Sequence, residues 1–284
     1  MRVVVTGGHG QLGRAIVRRG LASGDAVHAL GRDALDVCRV DAAQLAALAP
    51  DLVINAAAYT AVDRAEAEPA RAFAVNADGA ARLARACADT GCALLQVSTD
   101  YVFDGAGARA YREDDPVAPL GVYGASKSAG EQAVIAHGGT VVRTSWLFGD
   151  GGPSFVHTML RLAAERPVLR VVADQHGCPT WADDLADTLL ALGRHAGRGA
   201  CYHACGAGPT TWHGFAEAIV DEARRHRVLR CERVEAITTA DYPTPARRPA
   251  RAILDTTRLA ALALAPPAWR VGLAAVVAQA LSSG

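Results

Sequence analysis

Apolar residues follow two rhythms along the first half of this chain. Short β-branched or wholly apolar runs occupy residues 3–6, 26–30, 52–56, 93–98 and 140–145, each the length of a strand buried on both faces. Between them, residues 11–21, 44–48, 70–88 and 123–136 place apolar positions at helical spacing, and the third of these is a long alanine-rich stretch. Strands that alternate with helices predict parallel pairing, because each helix carries the chain back to the same end of the sheet.

The expected fold class is therefore α/β, a doubly wound parallel sheet of the Rossmann type with a smaller C-terminal lobe. After about Phe148 the rhythm loosens, with Pro153, Pro167, Pro179, Pro209 and a proline-rich segment over 242–249 separating short helices. This predicts a nucleotide-binding domain over 1–148. Residues 149–284 then form mainly a substrate-binding lobe, interleaved with the last strands of the first domain.

Composition narrows the partners. The 284 residues carry 29 Lys plus Arg and 29 Asp plus Glu, so no overall field draws nucleic acid or an anionic membrane, and an anionic ligand must be held locally. The start, Met1-Arg2-Val3-Val4-Val5, has no long apolar core of a secretion signal, and no stretch reads as a membrane span. A soluble, cytoplasmic protein is expected. The seven cysteines, at 38, 87, 92, 178, 201, 205 and 231, form no C-x-x-C pair and read as reduced thiols. Cys201, His203 and Cys205 alternate as on one strand face, but their apolar neighbours favour packing over metal binding, and no metal is expected.

Directly after the first apolar run, Thr6-Gly7-Gly8-His9-Gly10-Gln11-Leu12-Gly13 sets glycines at 7, 10 and 13 before a helix. Strand, glycine turn and helix together make a pyrophosphate cradle, because glycine admits close backbone approach and the helix start offers unpaired N–H groups. An NAD-specific site usually places an acidic residue after the second strand. Here the sequence reads Leu30-Gly31-Arg32-Asp33, and Arg32 suits a 2′-phosphate, favouring NADPH; Asp33 or Asp36 on a folded-back loop would allow NADH.

Tyr123-Gly124-Ala125-Ser126-Lys127 puts a phenol and an ammonium four residues apart, on one face of a helix. A carbonyl that receives hydride needs a proton, which a phenol can supply when a neighbouring cation stabilises its conjugate base. The preceding strand ends in Val97-Ser98-Thr99-Asp100-Tyr101, so Thr99 sits at the carboxyl edge of the sheet and can hydrogen-bond the same carbonyl.

With the glycine turn, Thr99, Tyr123 and Lys127 in this order, the chain resembles the extended short-chain dehydrogenase/reductases. Within them it resembles the dTDP-4-dehydrorhamnose reductase family. The matching strings are Gly10 to Gly13, Asn55 to Asp63, Ser98 to Gly105, Arg143 to Trp146 and Asp174 to Thr180, with a C-terminal signature over Thr244 to Pro249 followed by Leu254-Asp255. The resemblance implies that Gly10, Gln11 and Leu12 line the pyrophosphate. It further implies Asp36 and Val37 near the adenosine, and Ala58, Tyr59 and Thr60 beside the cofactor. Tyr123 and Lys127 would touch the nicotinamide ribose, and Thr99, Asp100 and Trp146 would hold the sugar. The implied reaction is reduction of the C4 ketone of dTDP-4-dehydro-6-deoxy-L-mannose, with Tyr123 as proton donor. The two phosphates of such a substrate call for a guanidinium, and Arg247 or Arg248 is the candidate, Arg248 foremost.

Three comparisons sharpen the expectation. Dehydratases on a similar scaffold carry an Asp-Glu pair after the threonine, whereas here Asp100 and Tyr101 follow, so elimination lacks its second carboxylate. Some family members bind Mg²⁺ through a glutamate on the first helix. This chain has Ala15 there, which predicts no such metal site and a monomer or weak homodimer. Related 4-ketoreductases act on other nucleotide deoxysugars, and some homologues are regulatory subunits of a methionine adenosyltransferase. Intact Thr99, Tyr123 and Lys127 argue against that last, non-catalytic role.

Overall fold

Strand β1 (Arg2–Thr6) lies inside a sheet of six parallel strands. In chain order the others are β2 (Ala26–Leu30), β3 (Leu52–Asn55), β4 (Ala93–Thr99), β5 (Thr140–Thr144) and, after a second parallel pair has begun with β6 (Val168–Val172), β7 (Cys201–His203). Their spatial order is β7-β5-β4-β3-β1-β2. The chain thus starts in the sheet, steps outward to β2, and returns past β1 to β3, so the winding direction reverses between β1 and β3 and leaves a crevice at the carboxyl ends of those strands. These are the residues the apolar runs picked out, because strands covered on both faces cannot alternate polar and apolar.

The computed structural model describes residues 1–150, 152, 154–195 and 199–282, and Pro153 lies outside them. One face of the sheet is covered by α1 (Gln11–Ala22) and α8 (Ala182–His195), whose Leu12, Ile16, Leu185 and Leu189 pack on Val3, Val5 and Ile54. The other is covered by α2 (Ala42–Leu48), α5 (Ala80–Thr90) and α6 (Val122–Ala136), through Leu45, Leu83 and Val134 against Val4, Val53 and Val141. A separate core joins α7 (Phe155–Glu165), α9 (Trp212–Arg224) and the helix Trp269–Ser282, centred on Phe148, Phe215 and Trp269. Beside it, β6 pairs in parallel with β8 (Arg233–Ile237).

Residues 70–88 do not form one uninterrupted α-helix. After α3 (Val62–Ala67), α4 (Pro69–Phe73) passes into a π-helical turn over Ala74–Gly79 before α5 begins. The widened turn lets the buried side chain of Asn76 leave the helix. Its Oδ1 accepts from Tyr59 N at 2.8 Å, and its Nδ2 donates to Tyr59 O at 3.1 Å and to Ser126 Oγ at 3.0 Å. Periodicity of alanine alone could not show this, because an inserted residue leaves composition unchanged.

Cys201, His203 and Cys205 are each engaged within the protein. His203 is fully buried, with Nδ1 at 3.1 Å from Tyr111 O and Nε2 at 3.4 Å from Arg143 Nη1, and burial pulls its imidazole down to about 3. Cys205 Sγ donates to Leu254 O. Among the described residues no helix is long and apolar enough to cross a membrane.

Candidate active site

The crevice at the reversal point widens into a cleft of about 900 Å³ that runs from the glycine turn to Trp146 and Trp212. Its near wall is the turn after β1. Gly7 has φ +65°, a left-handed conformation that costs an ordinary side chain strain, and a Cβ there would lie 2.7 Å from Ala57 N. A Cβ on Gly13 would lie 2.4 Å from Gly7 O, so α1 packs directly onto the turn. Gly10 caps α1 without a side chain and the first turn carries no acidic residue, so the N–H groups and positive pole of the helix face the cleft undiluted.

A ladder of buried amides fixes the floor. Thr6 Oγ1 donates to Asn55 Oδ1 at 2.5 Å, and Asn55 Nδ2 donates to Gln96 Oε1 at 2.6 Å, tying the ends of β1 and β3 to the middle of β4. Asn55 Oδ1 also accepts from Ala57 N at 3.1 Å and so starts the loop that leads to Ala58 and Thr60. Both of those line the cleft. Tyr59 between them is not part of the lining: its phenol donates to Glu68 Oε2 at 2.9 Å and its backbone N–H is held by Asn76.

At the end of β4, Thr99 accepts from Tyr101 N at 3.2 Å and donates to Asp100 Oδ1 at 3.0 Å. Asp100 is buried, its Oδ2 has no partner, and desolvation pushes its carboxyl up to about 7 against the pull of the Thr99 hydroxyl. The hydroxyls of Ser98 and Thr144, on neighbouring strands, are likewise buried and without partner, and all three residues line the cleft. Buried polar atoms are usually paired, so three orphans on one floor mark a surface built to meet a polar ligand.

Helix α6 brings Tyr123 and Lys127 to the same floor. Burial pushes the Tyr123 phenol up to about 12, while the facing Thr99 hydroxyl works against the rise. Lys127 Nζ donates to Val97 O at 2.6 Å, and burial pulls its ammonium down to about 8. The Thr99 hydroxyl favours the ionised phenol, and the Lys127 ammonium is anchored to the β4 backbone on the same cleft floor. At neutral pH this leaves a protonated phenol beside a mostly protonated amine.

The far wall is aromatic. Trp146 has φ +44°, uncommon for a bulky residue, and its ring stacks on Trp212 with centroids 3.6 Å apart and planes 9° from parallel. Trp212 and His9 line the cleft and were not singled out from sequence; a tryptophan opening a helix gives no signal that it faces a site across the chain.

Of the expected cofactor contacts, Gly7, Gly10, Gln11, Leu12, Gly13, Arg32, Asp36, Val37, Ala58 and Thr60 all line the cleft, with Thr99, Asp100, Tyr123, Lys127 and Trp146 deeper in. Arg32 is exposed at its mouth, and Asp36 Oδ1 accepts from Cys38 N at 3.0 Å. Arg248 is outside the lining. Its Nη2 donates to Asp63 Oδ2 at 2.8 Å and Nη1 bonds the Thr244 hydroxyl, so its guanidinium braces the strap over 244–248.

The family described as the RmlD substrate binding domain matches residues 1–282. The chain belongs to the RmlD substrate binding domain family. A dTDP-4-dehydrorhamnose reductase of Streptomyces griseus is 46% identical over 282 residues, covering 96% of this chain and 91% of that one. A probable dTDP-4,6-dihydroxy-2-methyloxan-3-one 4-ketoreductase of Streptomyces antibioticus is 43% identical over 281 residues, covering 96% and 93%. Among solved structures, a dTDP-4-dehydrorhamnose reductase of Bacillus anthracis in complex with NADP superposes with a TM-score of 0.91 at 35% identity, over 98% of this chain and 99% of that one. In this RmlD-family chain Ala15 is buried against the sheet, so the first helix presents an apolar side chain at that position.

Proposed function

We propose that the protein reduces the C4 ketone of a dTDP-4-keto-6-deoxy sugar with NADPH, converting dTDP-4-dehydro-6-deoxy-L-mannose to dTDP-L-rhamnose. The observation that carries this reading is the convergence of Tyr123, Lys127 and Thr99 on one cleft that also holds a glycine turn whose free N–H groups suit a phosphate-bearing ligand. The lining fits a dinucleotide: Gly10, Gln11 and Leu12 would hold the pyrophosphate at the uncapped start of α1, and Arg32 would meet a 2′-phosphate. When bound, NADPH supplies the hydride.

The protein's own groups handle the proton and the sugar. Thr99 and Tyr123 offer hydroxyls to the carbonyl oxygen, and Tyr123, protonated well past neutrality, releases its proton to an oxygen that becomes far more basic as the bond order falls. Lys127 holds positive charge behind the phenol and stabilises it once the proton has gone. Asp100, with one oxygen unpaired, and Trp146, with its ring fixed by Trp212, orient the sugar. Arg248 would reach a diphosphate only by leaving Asp63.

Purified protein with NADPH and dTDP-4-dehydro-6-deoxy-L-mannose should oxidise the cofactor and yield dTDP-L-rhamnose. An absence of turnover with that ketone would remove the reading. The 43% identity to the Streptomyces antibioticus ketoreductase favours one second reading, the same chemistry on another dTDP-keto sugar, which a panel of such ketones separates.

A further inference from the structure

Helix α6 starts without a cap of its own, since Gly121 at the cap position has no side chain, and Tyr123 is only the second residue of the helix. The missing acceptor arrives from 56 positions earlier. Glu66 on α3 accepts from Val122 N at 2.9 Å through Oε1, at the residue immediately before Tyr123. A Cβ on residue 121 would lie 2.6 Å from that same oxygen, so glycine is what admits the carboxylate.

Asp63, three residues earlier on the same helix, holds the strap over 244–248. It accepts from Ala246 N at 3.2 Å and from Arg248, whose guanidinium in turn faces the phenol of Tyr101. The Tyr101 ring meets that of Tyr123 edge-on with centroids 5.6 Å apart. Helix α3 therefore holds the start of α6 at Val122 and, through Arg248 and Tyr101, backs the ring of Tyr123. It directly follows the cleft-lining loop that carries Ala58 and Thr60.

We propose that Glu66 is a positioning residue for proton transfer, holding the first turn of α6 so that the Tyr123 hydroxyl meets the substrate oxygen. The proposal rests on the reductase reading given above. Glu66 is not among the residues lining the cleft, so it acts through the first turn of α6 and not on the substrate directly. A misplacement of about 1 Å at a reacting group costs on the order of a hundredfold in rate, which makes the geometry of this turn visible in turnover. A cap that served stability alone would lower the melting midpoint and leave the rate of the folded enzyme unchanged.

Three variants of the whole chain test this. Glu66→Gln keeps an acceptor oxygen at the same reach, Glu66→Asp withdraws it by one methylene, and Glu66→Ala removes it. With saturating NADPH and keto sugar, kcat should fall about tenfold or more in the Asp and Ala variants and stay within about threefold of the parent in Glu66→Gln, with KM for both substrates little changed. Amide hydrogen exchange over 122–124, measured on the ligand-free protein, should quicken in the same two variants. If Glu66→Ala does not fold, Glu66→Asp carries the comparison. Parental kcat in a folded Asp or Ala variant, or parental exchange over 122–124, overturns the proposal. A parent that reduces no keto sugar instead overturns the reductase reading, and the exchange data then decide alone whether Glu66 holds the turn.

Discussion

Burial raises the Tyr123 phenol from 10 to about 12, so it meets the substrate as a proton donor well past neutral pH. Its conversion to Phe should lower kcat on the order of 10² to 10⁴-fold while leaving NADPH affinity near parental, and an unchanged kcat would remove Tyr123 as the donor. Lys127 is held at the opposite disadvantage. Its value falls from 10.5 to about 8, so the fold favours the neutral amine. The stability it contributes is present above the unfolded value and lost as pH falls through about 8, and at pH 7 a buried ammonium costs about 3 kcal/mol. Lys127→Met should therefore melt higher than the parent at pH 7, converge with it above pH 10, and be inactive. Melting curves across that range check the sign. Asp100 runs the other way, rising from 3.8 to about 7, so its favourable contribution is complete below the unfolded value and disappears as pH climbs through about 7. Asp100→Asn should gain stability relative to the parent at pH 8 and lose affinity for the keto sugar; equal melting at pH 6 and pH 8 in both proteins would show that Asp100 is not held neutral.

At the scale of elements, what the sequence revealed was whatever periodicity encodes. The five apolar runs of the first half and the helices α1 and α6 lie where strand and helix spacing put them, because a strand buried on both faces and a helix buried on one leave different spacings. Tyr123 and Lys127 were legible for the same reason, four residues apart on a helix that follows a strand. The π-turn, the stack of Trp212 on Trp146 and the reach of Glu66 to α6 were not, since each depends on segments brought together only by folding. Asn76 shows what such an unforeseen element contributes. Its amide satisfies both the N–H and the carbonyl of Tyr59 and touches Ser126 beside Lys127, so it joins the loop after β3 to helix α6. Asn76→Ala leaves buried polar groups without partners, at a cost of about 2 to 3 kcal/mol, and the melting midpoint should drop by roughly 5 to 10 °C. NADPH binding should weaken as the loop loosens; a variant that melts with the parent would mean that the loop holds itself.

For the molecule as a whole, equal numbers of acidic and basic residues mean that affinity for a polyanionic cofactor must come from a few placed groups. The cleft supplies most of them as neutral dipoles, the backbone of the glycine turn and the start of α1, which recognise a pyrophosphate equally well in NADPH and NADH. Arg32, exposed at the mouth, is a cleft-lining guanidinium whose pairing with a 2′-phosphate would tell the two apart. A guanidinium paired with a 2′-phosphate is worth about 1.5 to 3 kcal/mol, or roughly 10 to 100-fold in affinity. Because a ligand that binds only the folded state stabilises it by about 2.7 kcal/mol at a hundred times its Kd, melting curves read this difference without any turnover. In the parent, NADPH should raise the melting midpoint more than NADH at the same concentration. In Arg32→Ala the NADPH shift should shrink to that of NADH while the NADH shift is unchanged. Raising the salt concentration should erode the parental difference, since the pair lies at an exposed cleft mouth. Equal shifts for the two cofactors in the parent would mean that Arg32 faces solvent, and that selection between them falls to Asp36 and its loop.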